Sequence, residues 1–233
     1  MRTKLIGEGQ RADTWRNRAR DPAFTAMLVA QCLIIFAIPF AAVGYEGVRE
    51  VVALLFFIFT FLVCLISPGR VATTLAILAF ISGLAGYALE RMEPSTTIAL
   101  ILVFIGAVSA FVVATYALGY ATLAPGRVTF HRVLGAIALY LNIGLMFGAI
   151  YRMIWYFIPS SLTNIPGDAG CGLWPDTLFQ LCHPTSTGFG DIVPVHPVIR
   201  MLVNVEAIIG QLYPATLLAR LITLELRGAR RRS

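Results

Sequence analysis

The sequence predicts an all-α membrane protein with six transmembrane helices and a short re-entrant helix and loop between the fifth and the sixth. Three observations lead there. Of the 233 residues, 58% are hydrophobic and 13% charged, with a mean hydropathy of +0.80; soluble domains run about half apolar and about a quarter charged. Six apolar segments, 24–43, 51–67, 71–89, 96–118, 133–158 and 197–224, come near the about 20 residues that a helix needs to cross a bilayer core. Between the last two, residues 159–197 break the pattern with a run rich in proline, glycine and hydroxyl side chains.

Residues 1–22 carry Arg2, Lys4, Arg11, Arg16, Arg18 and Arg20. They lack the early apolar core and cleavage site of a secretory signal, and are expected to form a basic cytoplasmic segment. Residues 23–127 hold the first four spans as a four-helix region, separated by "GYEGVRE", "SPGR" and "ERMEPS", and "APGRVTFHR" leads into the fifth. Proline or glycine stands in each separator, as helix punctuation does. With the N-terminus inside, Arg70, Arg127, Arg132 and the tail Arg227, Arg230, Arg231 and Arg232 share its side; Arg49 and Arg91 fall in the outer loops, Arg152 and Arg200 near the outer helix ends, with Glu46, Glu50, Glu90, Glu93, Asp168, Asp176 and Asp191. That asymmetry follows the positive-inside rule. Six spans bring the chain back to the cytoplasm, where 228–233 form a short basic tail suited to lipid headgroups. The expected location is the inner (plasma) membrane, multi-pass, with both termini cytoplasmic.

In the insertion, Pro175 of "LWPDTLFQLCH" suits the first turn of a helix, where its missing N–H costs nothing. A helix over 175–183 is too short to span. It enters the bilayer and stops, and "PTSTGFGDIVP", 184–194, brings the chain back out. Irregular backbone at that depth is tolerated only where it is buried in protein or lines water. The outline is that of a pore. A dehydrated cation needs oxygen ligands on several sides, which backbone carbonyls supply when several chains meet on one axis. Turning successive carbonyls inward requires dihedrals that a Cβ resists, and Gly188 and Gly190 stand at alternate positions to permit them. Ser186 offers a hydroxyl oxygen at the inner mouth, Phe189 a wedge against the short helix, and Asp191 a negative charge that concentrates cations at the outer mouth.

On these residues the chain resembles the potassium-channel superfamily, whose pore unit is outer helix, pore helix, filter and inner helix, and within it the bacterial six-transmembrane channels that lack a voltage sensor. Gly188, Phe189, Gly190 and Asp191 match the second half of the family's filter, and Thr185 and Ser186 stand at its threonine positions. Thr187 replaces the usual aliphatic residue, and His183 and Pro184 replace small or hydroxyl residues before it. The resemblance covers 128–227 by motif, with "GAIALYLNIGLMFGAIY" similar to the outer helix and "VNVEAIIGQLYPATLLARL" to the inner one. It implies a pore domain over those residues, permeant K+ held at Ser186, Thr187, Gly188 and Phe189, no cofactor, and a gating hinge at Gly210. Pro214, on the same helical face, is expected to kink that helix. One filter per chain calls for a homotetramer. Passive potassium conduction is the expected function; Ser186, which lacks the stiffening methyl, and the polar Thr187 make a non-selective sodium/potassium channel the runner-up.

A secondary transporter would also place irregular backbone at the midplane, but in paired inverted repeats, and only the C-terminal half is broken here. A membrane enzyme would need polar residues clustered in the spans, whereas His131, His183 and His196 lie at or near span ends or by the filter; no enzymatic chemistry is expected. The net charge of +6 does not point to nucleic acid, because the basic residues flank apolar spans, and no soluble partner is indicated. Cys32 and Cys64 read as packing residues in apolar runs, while Cys171 and Cys182 are candidates for a bridge that spacing alone cannot establish. The fourth span has no arginine to carry gating charge. Gly106, Gly119, Gly135, Gly144 and Gly148 are expected at helix contacts, and Arg152 is expected to snorkel outward or to pair with an acid. Glu206, the one carboxylate in the middle of an apolar span, is a functional candidate by its cost. Two placements are open: facing a water-filled cavity below the filter, or behind the filter, bonded to the pore helix or to Asn142.

Overall fold

The computed structural model describes residues 23–37, 46–67, 69–93, 96–123, 130–163 and 193–230. Among these the chain is almost wholly helical. Helix α1 covers Ala23–Ala37, α2 Glu46–Ile66, α3 Gly69–Met92, α4 Thr97–Leu123, α5 Phe130–Phe157 and α6 Pro197–Arg230. A 3-10 turn, Pro159–Ser161, follows α5, and two short strands, β1 at Leu162–Thr163 and β2 at Val193–Pro194, precede α6. Three stretches, Gly69–Met92, Thr97–Tyr120 and Val133–Phe157, are long and apolar enough to cross a membrane. The architecture is that of a helical membrane protein.

The helices outrun the apolar segments at their charged ends. Helix α2 begins at Glu46, so most of the separator "GYEGVRE" is helical; α3 runs on through Glu90 and Arg91, and α6 through Arg227 to Arg230. Arg91 in the last turn of α3 favours the helix dipole, and hydropathy ends where the charges begin although the backbone ladder does not. Between α2 and α3 the turn is sharp: Gly69 takes φ +83°, a left-handed conformation that a side chain would resist.

The tightest packing is between α3 and α4. Ala72, Ala76, Ala79, Gly83 and Gly86 form the buried face of α3, spaced alternately by four and three. A methyl built on Gly86 would sit 2.7 Å from the Val103 backbone nitrogen, and one on Gly106 would sit 2.7 Å from that of Gly83. The two backbones therefore touch, which only small residues allow. Gly106 thus takes the helix-contact role expected of it. Around this seam a larger core joins Phe24, Met27 and Ile34 of α1, Phe59 and Val63 of α2, Phe111 and Leu118 of α4, and Leu139 and Leu145 of α5. The rings of Phe56 and Phe59 meet Phe111 at 5.8 and 5.6 Å. Exposed apolar side chains such as Val71, Leu78, Ile98 and Ile105 point away from the core, as lipid-facing residues do.

Polar contacts fix which helix ends lie together. Glu50, at the start of α2, pairs with Arg91 and accepts a hydrogen bond from Tyr87, both near the end of α3. Tyr156, at the end of α5, reaches Thr97 at the start of α4. The start of α6 is tied to the end of α5 through the strand pair. Glu50 and Arg91, expected on one side of the membrane, thereby meet at one end of the helices.

Candidate functional site

The filter residues Thr185, Ser186, Thr187, Gly188, Phe189, Gly190 and Asp191 lie outside the described residues, as do the expected helix over 175–183, Cys171 and Cys182. What the structure describes is their frame. Strands β1 and β2 pair antiparallel, Leu162 opposite Pro194 and Thr163 opposite Val193. The Ser161 carbonyl accepts from the backbone nitrogens of Val195 at 3.0 Å and His196 at 3.2 Å, and Arg200 Nε donates to the Pro194 carbonyl at 2.9 Å. The chain thus leaves for residue 164 and returns at 192 through a single closed base, set between α5 and α6.

Below that base, Phe147, Tyr151 and Leu162 pack with Ile199, and Leu202 and Val203 close over them. One face of α6 is turned to α5: Ile199, Glu206 and Gly210 are buried and Val203 and Tyr213 half-buried, at spacings of three and four. That spacing is one side of a helix. Met201, Val205, Ile208 and Leu212 make an apolar stripe on another side, all exposed. Pro214 is also exposed, and α6 continues as helix through it.

Glu206 is 1% exposed, and the Tyr151 hydroxyl donates to its Oε2 at 2.7 Å. Its Oε1 has no hydrogen-bond partner among the described residues. A carboxylate at mid-span costs about 2.5–3.5 kcal/mol on insertion scales, and a hydrogen bond to a charged group returns about 1.5–3 kcal/mol. One good donor therefore offsets most of the cost. The side chain lies off the exposed face of α6 and is not bonded to Asn142, while the other partner left open, the helix over 175–183, lies outside the described residues. Asn142 is committed elsewhere: its Nδ2 donates to the Phe111 carbonyl at 2.9 Å and to Thr115 Oγ1 at 2.8 Å, and its Oδ1 accepts from Gln31 Nε2 at 3.2 Å. No match to any protein-family model, curated protein or solved structure is found for this chain. The functional reading therefore rests on its own residues.

Three further pairings are made by the structure. Gln31, Asn142 and Thr115 form a buried polar node that ties α1 and α4 to α5, and Tyr151 is the partner of Glu206. Tyr213 donates to the Ala136 carbonyl at 2.9 Å and stacks on Tyr140 at 5.9 Å. A lone amide inside each of two apolar runs was the available signal for the first of these. Arg152, expected to snorkel or to pair with an acid, is 8% exposed and so lies buried within the protein. Among the described residues no group of three or more His, Cys, Asp and Glu side chains comes together.

Proposed function

We propose that this chain is one subunit of a passive, potassium-selective cation channel in which four copies surround a single pore. The observation that carries the reading is the segment "TSTGFGD" between two long helices, on an insertion whose two ends close on each other beside α5 and α6. Carbonyls of Ser186, Thr187, Gly188 and Phe189 would replace the water around K+, with Asp191 above them. The six helices then act as six spans, the insertion as the re-entrant element, and Gly210 and Pro214 as the flexible part of the inner helix. The exposed stripe of Met201, Val205, Ile208 and Leu212 supports assembly, since an apolar face of this kind suits a neighbouring copy as well as lipid. Conduction without strict selectivity is the second reading, favoured by Ser186 and Thr187 in place of residues that stiffen the filter.

Reconstitution into planar bilayers between potassium and sodium solutions tests both. A reversal potential that follows potassium is expected, and one near zero points to the non-selective channel. Gly190→Ala is expected to remove conduction completely while the protein still inserts, because the methyl opposes the backbone conformation needed there. A Gly190→Ala protein that conducts like the parent would mean that this segment is not the ion path.

A further inference from the structure

We propose that Tyr151 is the positioning residue for Glu206: it holds the carboxyl on α5, so that Glu206 clamps the outer helix to the first half of the inner helix and does not act as a charge in the ion path. The gating consequence rests on the channel reading above; the clamp itself does not.

Glu206 is 1% exposed within a single chain, so no neighbouring copy is needed to hide it. It lies on the α5-facing side of α6 with Ile199 and Gly210, while Val205 beside it and Ile208 one half-turn on are exposed. A cavity charge belongs on the open side of the helix, and this carboxyl is turned from it. Tyr151 is fully buried and is braced by Phe147, their rings 6.1 Å apart. A rigid phenol aimed by packing sets where the carboxyl goes.

The clamp also stands at a particular place. Pro214 has no N–H, so the Gly210 carbonyl loses its helical partner, and α6 is weakest between these two positions. Glu206 lies one turn before Gly210. The part of α6 from Ile199 to Glu206 is packed on Phe147, Tyr151 and Leu162 and is bonded to Tyr151. That first half moves with α5, and bending is left to the part beyond Gly210. Loosening the clamp would let the first half shift next to the base of the insertion, which shortens the conducting state without touching the ions.

The experiment compares Tyr151→Phe, Glu206→Leu, Glu206→Gln and the double change Tyr151→Phe/Glu206→Leu, by single-channel recording and by thermal melting in detergent. Tyr151→Phe and Glu206→Leu are each expected to shorten open times about tenfold, the upper end of what one ordinary hydrogen bond contributes. The double change should go no further than either alone, since both remove the same contact. Glu206→Gln should recover most of the loss, because its amide oxygen still accepts from Tyr151. Unitary conductance and block by internal Mg2+ should stay at the parent values in Tyr151→Phe. Lower conductance and weaker Mg2+ block in Glu206→Gln, with Tyr151→Phe silent, would overturn the clamp in favour of a cavity charge. If the parent passes no current, the channel reading falls, and melting decides the clamp: non-additive losses with recovery by Gln support it, and additive losses overturn it.

Discussion

The contact of α3 with α4 and the contact of α5 with α6 solve the same problem in opposite ways. In the first, alanines and glycines bring two backbones into touch, and Ser82 adds a hydroxyl that donates to the Leu102 carbonyl at 2.9 Å. In the second, large side chains lie between the helices, and the polar groups of the buried Tyr151 and Glu206 and the half-buried Tyr213 join them. Close backbone contact has one arrangement and resists sliding, whereas long side chains with a few directed bonds allow a second arrangement when a bond is given up. The difference separates a stiff scaffold from a pair of helices able to move, and the proposed inner helix belongs to the second kind.

The largest effect is expected at the stiff seam. Gly106→Val puts methyls where Gly83 backbone already lies at 2.7 Å from a bare Cβ, and overpacking of that kind costs about 3 kcal/mol. Melting in detergent should show a collapse of stability, while Gly47→Ala on α2, with nothing within 4 Å of its Cβ, should melt as the parent does. A Gly106→Val protein of parent stability would mean that α3 and α4 are not in backbone contact.

Next comes the polar node between the two regions. Asn142→Leu strands the Gln31 amide, whose Nε2 loses its acceptor, while the Phe111 carbonyl keeps the Thr115 hydroxyl, at a cost of about 1–2 kcal/mol. The double change Gln31→Leu/Asn142→Leu should recover part of it, because both side-chain partners are then apolar. Additive losses in the two changes would show that the amides do not meet. Smaller still is Tyr213→Phe, which gives up one bond between membrane helices, about 0.6 kcal/mol, and is best seen as faster hydrogen exchange beyond Gly210. The smallest effect belongs to Arg91→Ala. Its partner Glu50 is nearly half exposed, so the loss should stay below about 0.5 kcal/mol and disappear at high salt.

Much of the scaffold was legible because greasiness over about 20 residues is a strong signal and because proline and glycine mark the junctions. The helix ends were less legible: Glu46, Glu90 and Arg227 read as separators or tail, yet charged side chains are accommodated in terminal turns. The site was legible in part. Glu206 stood out by its cost, but its partner did not, since tyrosine is ordinary near the end of a span. The proposed bond to Asn142 was a reasonable pairing of two polar residues in neighbouring helices, and it failed because Asn142 faces α1 and α4 instead.

By itself the sequence determined the helical class, the rough extent of the helices among the described residues, and the presence of polar groups within apolar runs that must find partners. The tertiary structure alone decided which partners they find. In a helix that is apolar all round, hydropathy carries no information about rotation about the axis, so no periodicity says which side a glutamate or an asparagine presents. That angle is set by packing between helices, through contacts such as Tyr151 with Glu206 and Gln31 with Asn142, which join residues 55 and 111 positions apart in the chain.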